Sequence, residues 1–217
     1  MRIARRSREF LGPLAEDCAK TYGDLDATGE PVTLGIDPSL TSVGLSVYSD
    51  SGDHRTVLYK PKFTGPRRLY ELRSFVEDFV IDVDLCFRLE EVLIEGYSFG
   101  SRGTQAHKIG EGGGAYRLAL VDALGVNDRR AYPTIVSPNS LKKFVTGKGK
   151  GDKNQILLQV YKKWGVEFDE DDCADAYALA RVGEALLLSG GPAHKYEQEV
   201  VNALERNTEW TPPLTPS

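Results

Sequence analysis

Four carboxylates, Asp37, Glu95, Asp172 and Asp175, sit where apolar segments end or begin, not on polar stretches. Asp37 closes the run Val32-Thr33-Leu34-Gly35-Ile36, and Glu95 closes Val92-Leu93-Ile94. Asp172 and Asp175 open the helical stretch Asp-Cys-Ala-Asp-Ala-Tyr-Ala-Leu-Ala, at a spacing that puts both on one helix face. Acids gathered in a partly desolvated place repel, and each disfavours the other's ionised form. A divalent cation removes that conflict. Oxygen ligands with no His or Cys among them suit magnesium or manganese and not zinc. Either helical acid alone would be ordinary, as negative charge opposing the macrodipole at a helix N-terminus. Asp169, Glu170 and Asp171 immediately precede Asp172, and any of the four acids could join Asp175 at a metal.

A second charged feature has the opposite sign. Lys142, Lys143, Lys148, Lys150 and Lys153 share one segment with a single acid, Asp152, a net +4 within a chain of net charge -5. A lysine run by itself can be a solvated face. Beside an acidic cluster it supplies what a metal-dependent nuclease needs, lysines for phosphates and carboxylates for metal. Glycines before Lys148 and Lys150 let backbone approach a phosphate closely. Lys153 falls in a helical first turn, where the dipole favours the same anion.

The elements that must position these groups follow from periodicity. Val32–Asp37, Val43–Tyr48 and Arg55–Lys60 read as three antiparallel strands joined by turns at 38–42 and 49–53. Leu69, Leu72, Phe75, Val76, Phe79 and Val80 recur at helical spacing, so Pro66–Asp84 is an amphipathic helix. Glu91–Glu95 is a buried strand. A glycine-rich loop follows, then a helix over Ala115–Leu124 and a short strand at Thr134-Ile135-Val136. Ser137 is an N-cap before Pro138. Asp152 caps a helix from Lys153 to about Trp164, and Asp171–Leu188 is the last long helix. The order is that of a mixed five-stranded α/β sheet with helices on both faces, the ribonuclease H-like fold. There the first and fourth strands are neighbours, which sets Asp37 beside Glu95. Gly110-Glu111-Gly112-Gly113-Gly114 lacks the Gly-Lys-Ser/Thr ending of a nucleotide loop and permits close helix or backbone approach instead. His54, His107 and His194 are scattered; His107, near Glu95 in sequence, could contact DNA but reads rather as a surface residue.

With 217 residues, 41% hydrophobic and 27% charged, the chain has the composition of an ordinary globular protein. No apolar stretch is long enough to span a membrane, and the arginine-bearing N-terminus has no apolar region of a secretory signal behind it. Cys18, Cys86 and Cys173, odd in number and widely spaced, read as reduced thiols of a cytosolic protein.

Four motifs together resemble the RuvC-type Holliday-junction resolvases. Gly35-Ile36-Asp37-Pro38-Ser39-Leu40-Thr41-Ser42-Val43-Gly44 is similar to their first motif and Ile94-Glu95-Gly96-Tyr97-Ser98-Phe99 to their second. Ser137 to Lys143 and Thr146 to Lys153 resemble their lysine-bearing segment, and Asp172-Cys173-Ala174-Asp175-Ala176 their closing Asp-x-x-Asp-Ala. The long N-terminal extension departs from the compact bacterial enzymes and is closer to phage-encoded members. The resemblance implies a crossover junction endodeoxyribonuclease acting on branched DNA, four-way junctions above all, in the cytoplasm of a bacterial or phage-infected cell. It implies two ions, Mg2+ or Mn2+, held by Asp37, Glu95, Asp172 and Asp175 about 3.5–4 Å apart, one activating water and one stabilising the leaving 3′ oxygen. Lys142, Lys143, Lys148, Lys150 and Lys153 would meet DNA, Phe99 would stack on an unpaired base, and Tyr97 would pack under its loop. Symmetric cutting needs two sites, hence a homodimer. The domains implied are an N-terminal extension at 1–31, a nuclease domain at 32–189 and a flexible C-terminal tail at 190–217. Open alternatives are a broader flap or fork nuclease, a junction-binding protein without catalysis, and a transposase-like transferase, for which no separate DNA-recognition domain is visible.

Overall fold

The computed structural model describes residues 29–96, 104–149, 154–187 and 192–205. Pro31–Pro38 (β1), Val43–Ser49 (β2) and His54–Tyr59 (β3) form the expected antiparallel meander. Arg88–Glu95 (β4) then pairs parallel with β1, and Thr134–Val136 (β5) parallel with β4. The sheet order is β3-β2-β1-β4-β5. Ile36 lies opposite Ile94 and Asp37 opposite Gly44, so the acidic ends of β1 and β4 stand at one level.

The helices are Gly65–Cys86 (α1), Thr104–Leu124 (α2), Pro138–Thr146 (α3), Asn154–Trp164 (α4), Asp171–Leu187 (α5) and Lys195–Glu205 (α6). Each face of the sheet has its own core. Val32, Leu34 and Ile36 of β1 pack with Leu72, Val76 and Val80 of α1 and with Leu120 of α2. Leu93 and Val136 pack on the other face with residues of α3, α4, α5 and α6, among them Leu141, Val160, Leu179 and Val200. Burying each such side chain is worth about 1.5–3 kcal/mol over leaving it exposed. A register shift between Val32 and Thr33 against β4 lets Leu89 join the first core while Leu93, four residues on, joins the second.

On β1 the residues between the apolar ones are Thr33, Gly35 and Asp37, which by the two-residue period share the α5 face. Thr33 Oγ1 donates to the Ala180 carbonyl at 2.8 Å. A Cβ on Gly35 would strike the Ala176 carbonyl and come within 2.5 Å of Ala180 N and 2.8 Å of Leu179 Cβ. A Cβ on Gly183 would meet Thr33 Cβ at 2.9 Å. Thus α5, buried along most of its length and rich in alanine, lies directly on β1.

Several expectations change. The glycine run 110–114 is not a loop; it lies inside α2, which begins at Thr104. Glycine is a poor helix former, costing about 1 kcal/mol against Ala, and tertiary fit outweighs it here. A Cβ on Gly112 would meet Leu40 Cδ2 at 2.9 Å, so its absence admits the β1–β2 turn. Residues 195–205, expected within a flexible tail, form α6, because Val200, Val201 and Leu204 recur at helical spacing and are buried in the second core. Cys86 is disulfide-bonded and not a reduced thiol, while Cys173 is free. His54 is half-buried, packed edge-on to Tyr177 with ring centroids 4.8 Å apart. Most of the expected N-terminal extension, residues 1–28, and residues 206–217 of the expected tail lie outside the described residues.

Two substitutions separate these roles for glycine. Gly35→Ala should destabilise by about 1–3 kcal/mol or more through overpacking. Gly114→Ala, with nothing within 4 Å of an added Cβ, should stabilise by roughly 0.5–1 kcal/mol. Urea unfolding of both variants measures this; a Gly35→Ala midpoint at or above wild type contradicts the close approach of α5.

Candidate active site

β1 delivers Asp37 at its buried end, only 7% exposed. β4 delivers Glu95, paired with Val136 of β5, and the next amide, Gly96 N, donates to Val136 O at 2.7 Å. A Cβ at Gly96 would crowd Ile135 Cγ2 at 2.8 Å, so glycine lets the chain turn away from β5 just past the acid. Asp172 and Asp175 arrive from the first turns of α5. A Cβ on Gly44, the residue opposite Asp37, would collide with the Asp172 carbonyl. The same bare backbone that lets α5 reach the sheet therefore sets its acids over Asp37.

The electrostatics agree with this placement. Burial first, then the charges of Glu95, Asp175 and Asp172, hold the Asp37 carboxyl well above the usual carboxylate range, and a hydrogen bond with Glu95 adds to it. Cys173, beside them, has its thiol pushed up to about 11 by burial and by Asp172, Glu170 and Asp37. Of Asp169 to Asp172, it is Asp172 whose charge is among the largest influences on Asp37. Asp169 is exposed, and Glu170 is taken by Lys60, whose Nζ lies 2.7 Å from Glu170 Oε1. Asp172 Oδ2 accepts from the Ser42 hydroxyl in the β1–β2 turn.

Glu95, Asp172 and Asp175 each lie within electrostatic reach of Asp37 without forming a closed cage: among the described residues, no group of three or more His, Cys, Asp or Glu is poised to hold an ion. The donor set itself fits a hard divalent cation. It is all oxygen, one member is buried, and the charges that act most on that member are those of three other carboxylates.

The lysine segment divides. Lys142 and Lys143 lie on α3, which Ser137 caps by accepting from Ser140 N at 3.1 Å. Lys143 is held by Glu199 of α6 at 2.6 Å. Lys148 is exposed just past Gly147, whose φ of 75° ends the helix. Lys150, Asp152, Lys153, Tyr97, Phe99 and the side chain of His107 lie outside the described residues. Sequence reasoning missed Ser42, Lys60 and Tyr116. Ser42 was legible only as part of a turn, and nothing local marks Lys60 or Tyr116.

A mixed sheet of this order, with acids at adjoining ends of β1 and β4 and a helix bringing two more, is the ribonuclease H-like arrangement. The model of the crossover junction endodeoxyribonuclease RuvC family matches residues 33–182. The chain belongs to that family, whose members are metal-dependent nucleases. It is 31% identical to crossover junction endodeoxyribonuclease RuvC of Parvibaculum lavamentivorans over 172 residues, covering 72% of this chain and 94% of the relative. It is likewise 31% identical to the Treponema denticola protein of that name over 154 residues, covering 69% and 83%. Among solved structures, Thermus thermophilus RuvC matches with a TM-score of 0.52 and 25% identity over 69% of this chain and 90% of that one. The T. thermophilus RuvC structure in complex with Holliday junction substrate matches with the same TM-score at 23% identity, a likeness of fold. No helix among the described residues is long and apolar enough to cross a membrane.

The raised Asp37 pKa has a sign that can be measured. Between the ordinary carboxylate value and the higher folded value, the folded protein keeps a proton that the unfolded chain has released. Metal-free stability should therefore fall as pH rises through that window, with the full penalty above it. Asp37→Asn removes this component. In EDTA at neutral pH the variant should be more stable than wild type, and the gap should close in acid. Divalent cation should then stabilise wild type more than the variant. A gap that does not change with pH excludes charge repulsion at Asp37.

Proposed function

We propose that this chain is a structure-selective DNA endonuclease that resolves Holliday junctions by metal-dependent phosphodiester hydrolysis, nicking two strands symmetrically as a homodimer. The observation that carries this reading is the meeting of four carboxylates from β1, β4 and α5 in a chain of the RuvC crossover junction endodeoxyribonuclease family. A relative of the same fold is bound to a Holliday junction, which supports the same substrate class.

Asp37, on the rigid central strand, would bridge two Mg2+ or Mn2+ ions. Glu95 and Asp175 would hold one each, and Asp172 would complete the set. When bound, such a pair lowers the pKa of an attacking water and neutralises charge on the leaving 3′ oxygen. Buried β1 and β4 keep Asp37 and Glu95 from following the substrate, so the acids are preorganised for the charge that develops. Lys142, Lys148, Lys150 and Lys153 would neutralise backbone phosphates, with Lys143 joining when Glu199 releases it. Phe99, following Glu95 by four residues, would stack on a base unpaired at the junction centre. A two-fold dimer would place one site on each of two opposed strands, in the cytoplasm of a bacterial or phage-infected cell.

Labelled four-way, flap and linear duplexes, incubated with Mg2+ or Mn2+ beside Asp37→Asn, test the reading. Wild type should cut four-way junctions in symmetric pairs, sediment as a dimer on them, and spare linear duplex. Asp37→Asn should bind the junction and cut it slower by roughly 10³-fold or more. Undiminished cutting by the variant, or no cutting of any branched substrate, sinks the proposal.

Salt dependence tests the lysines separately. Each phosphate neutralised contributes about -0.9 to the log-log slope of affinity against salt, so five lysines give about -4.5 per protomer. Lys142→Ala should make the slope shallower by about 0.9 per protomer, and Lys143→Ala by less because of its Glu199 bridge. Slopes unchanged by both substitutions would remove α3 from the DNA interface.

A further inference from the structure

We infer that Ser42 is a positioning residue that selects Asp172, from four consecutive acids, as the one that completes the carboxylate set. This rests on the reading of that set as a metal site.

The four acids at 169–172 are equivalent in charge, and their surroundings set them apart. Asp169 is exposed and Glu170 is bridged to Lys60 at 2.7 Å, while the charge of Asp172 is among the largest influences on Asp37. Asp172 is tied to the β1–β2 turn. Its Oδ2 accepts from the Ser42 hydroxyl, and Ser42 is 7% exposed, so water competes little for the bond. A carboxylate at a helix start has several rotamers open to it. A buried donor on one oxygen leaves the other oxygen to turn toward Asp37 and lowers the freedom that a metal would otherwise have to remove.

The donor is itself held. Tyr116, fully buried on α2, donates to the Ser39 carbonyl at 2.5 Å and lies 3.5 Å from the Ser42 carbonyl. Gly112, one helical turn earlier, leaves the space that Leu40 fills. Inside the turn, Ser39 Oγ accepts from Thr41 N at 3.2 Å. The turn is thus clamped between α2 and α5, and Gly44, two residues past Ser42, lets the Asp172 backbone come against the strand. The glycine run and the acid helix, far apart in the chain, act on one turn.

The test is Mn2+ binding to the DNA-free, full-length protein, measured calorimetrically, together with the Mn2+ concentration that half-saturates junction cleavage. Ser42→Ala should weaken Mn2+ binding and raise that concentration by about 10-fold or more, with the maximal rate at saturating Mn2+ largely restored. Ser42→Thr, which keeps the hydroxyl, should stay closer to wild type. The loss should vanish in an Asp172→Asn background, because Ser42 acts through that carboxylate. Circular dichroism and urea midpoints separate these effects from misfolding, and the comparison within the Asp172→Asn pair holds even if Ser42→Ala is less stable. Wild-type Mn2+ affinity in Ser42→Ala, while Asp37→Asn abolishes binding, overturns the role of Ser42 and leaves the metal site standing. An equal loss with and without Asp172 also overturns it. Unchanged Mn2+ binding in Asp37→Asn overturns both.

Discussion

The closeness of α5 to β1 and β2 is the constraint on which the rest depends. A helix packed over a sheet through ordinary side chains stands off by their length. Here Gly35, Gly44 and Gly183 remove that length on both partners, and Thr33 bonds directly to the α5 backbone at Ala180. The helix that results is nearly all alanine, tyrosine, valine and leucine on its buried surface. Its N-terminal turns are then carried to the end of β1, where Asp37 is. An acid cluster of this kind cannot be built by attraction, because its members repel. It has to be imposed by packing elsewhere, and the apolar cores on the two faces of the sheet provide the force.

That imposition has a thermodynamic signature. Asp37 is buried, faces three other carboxylates, and holds its proton more tightly than an ordinary aspartate. Stability is given up at the site, and a cation bound there would restore it, which would couple folding to metal binding. The Lys60–Glu170 pair at the edge of the cluster shows the opposite arrangement. It is exposed and screened, worth little to stability, and serves to take one acid out of the set.

The basic side of the molecule is tied to the C-terminal part of the chain. Lys143 reaches Glu199, and Lys163 reaches the buried Glu197 and the Phe144 carbonyl. Burial lowers the Lys163 pKa, and its Glu197 partner offsets that. Helix α6 thereby fixes α3, the element that presents Lys142, so residues near the C-terminus steady the surface proposed to meet phosphate.

The chain by itself determined much of this. Alternation in β1 to β3, helical spacing in α1, the Ser137 cap and the four acidic positions were all readable, because each is a local period or a local residue preference. The parity of β1 even placed Thr33, Gly35 and Asp37 on one face. Other features were decided only by tertiary structure. The glycines of α2 read as a loop because helix propensity is local, whereas the reason to tolerate them is Leu40 and the turn it belongs to. Val200, Val201 and Leu204 were hidden in a polar context until the second core buried them. Four consecutive acids are indistinguishable as sequence, and the choice among them fell to a serine 130 residues away whose hydroxyl reaches only one. Spacing along a chain records what a single element prefers, while a bond between distant elements exists only once both are packed.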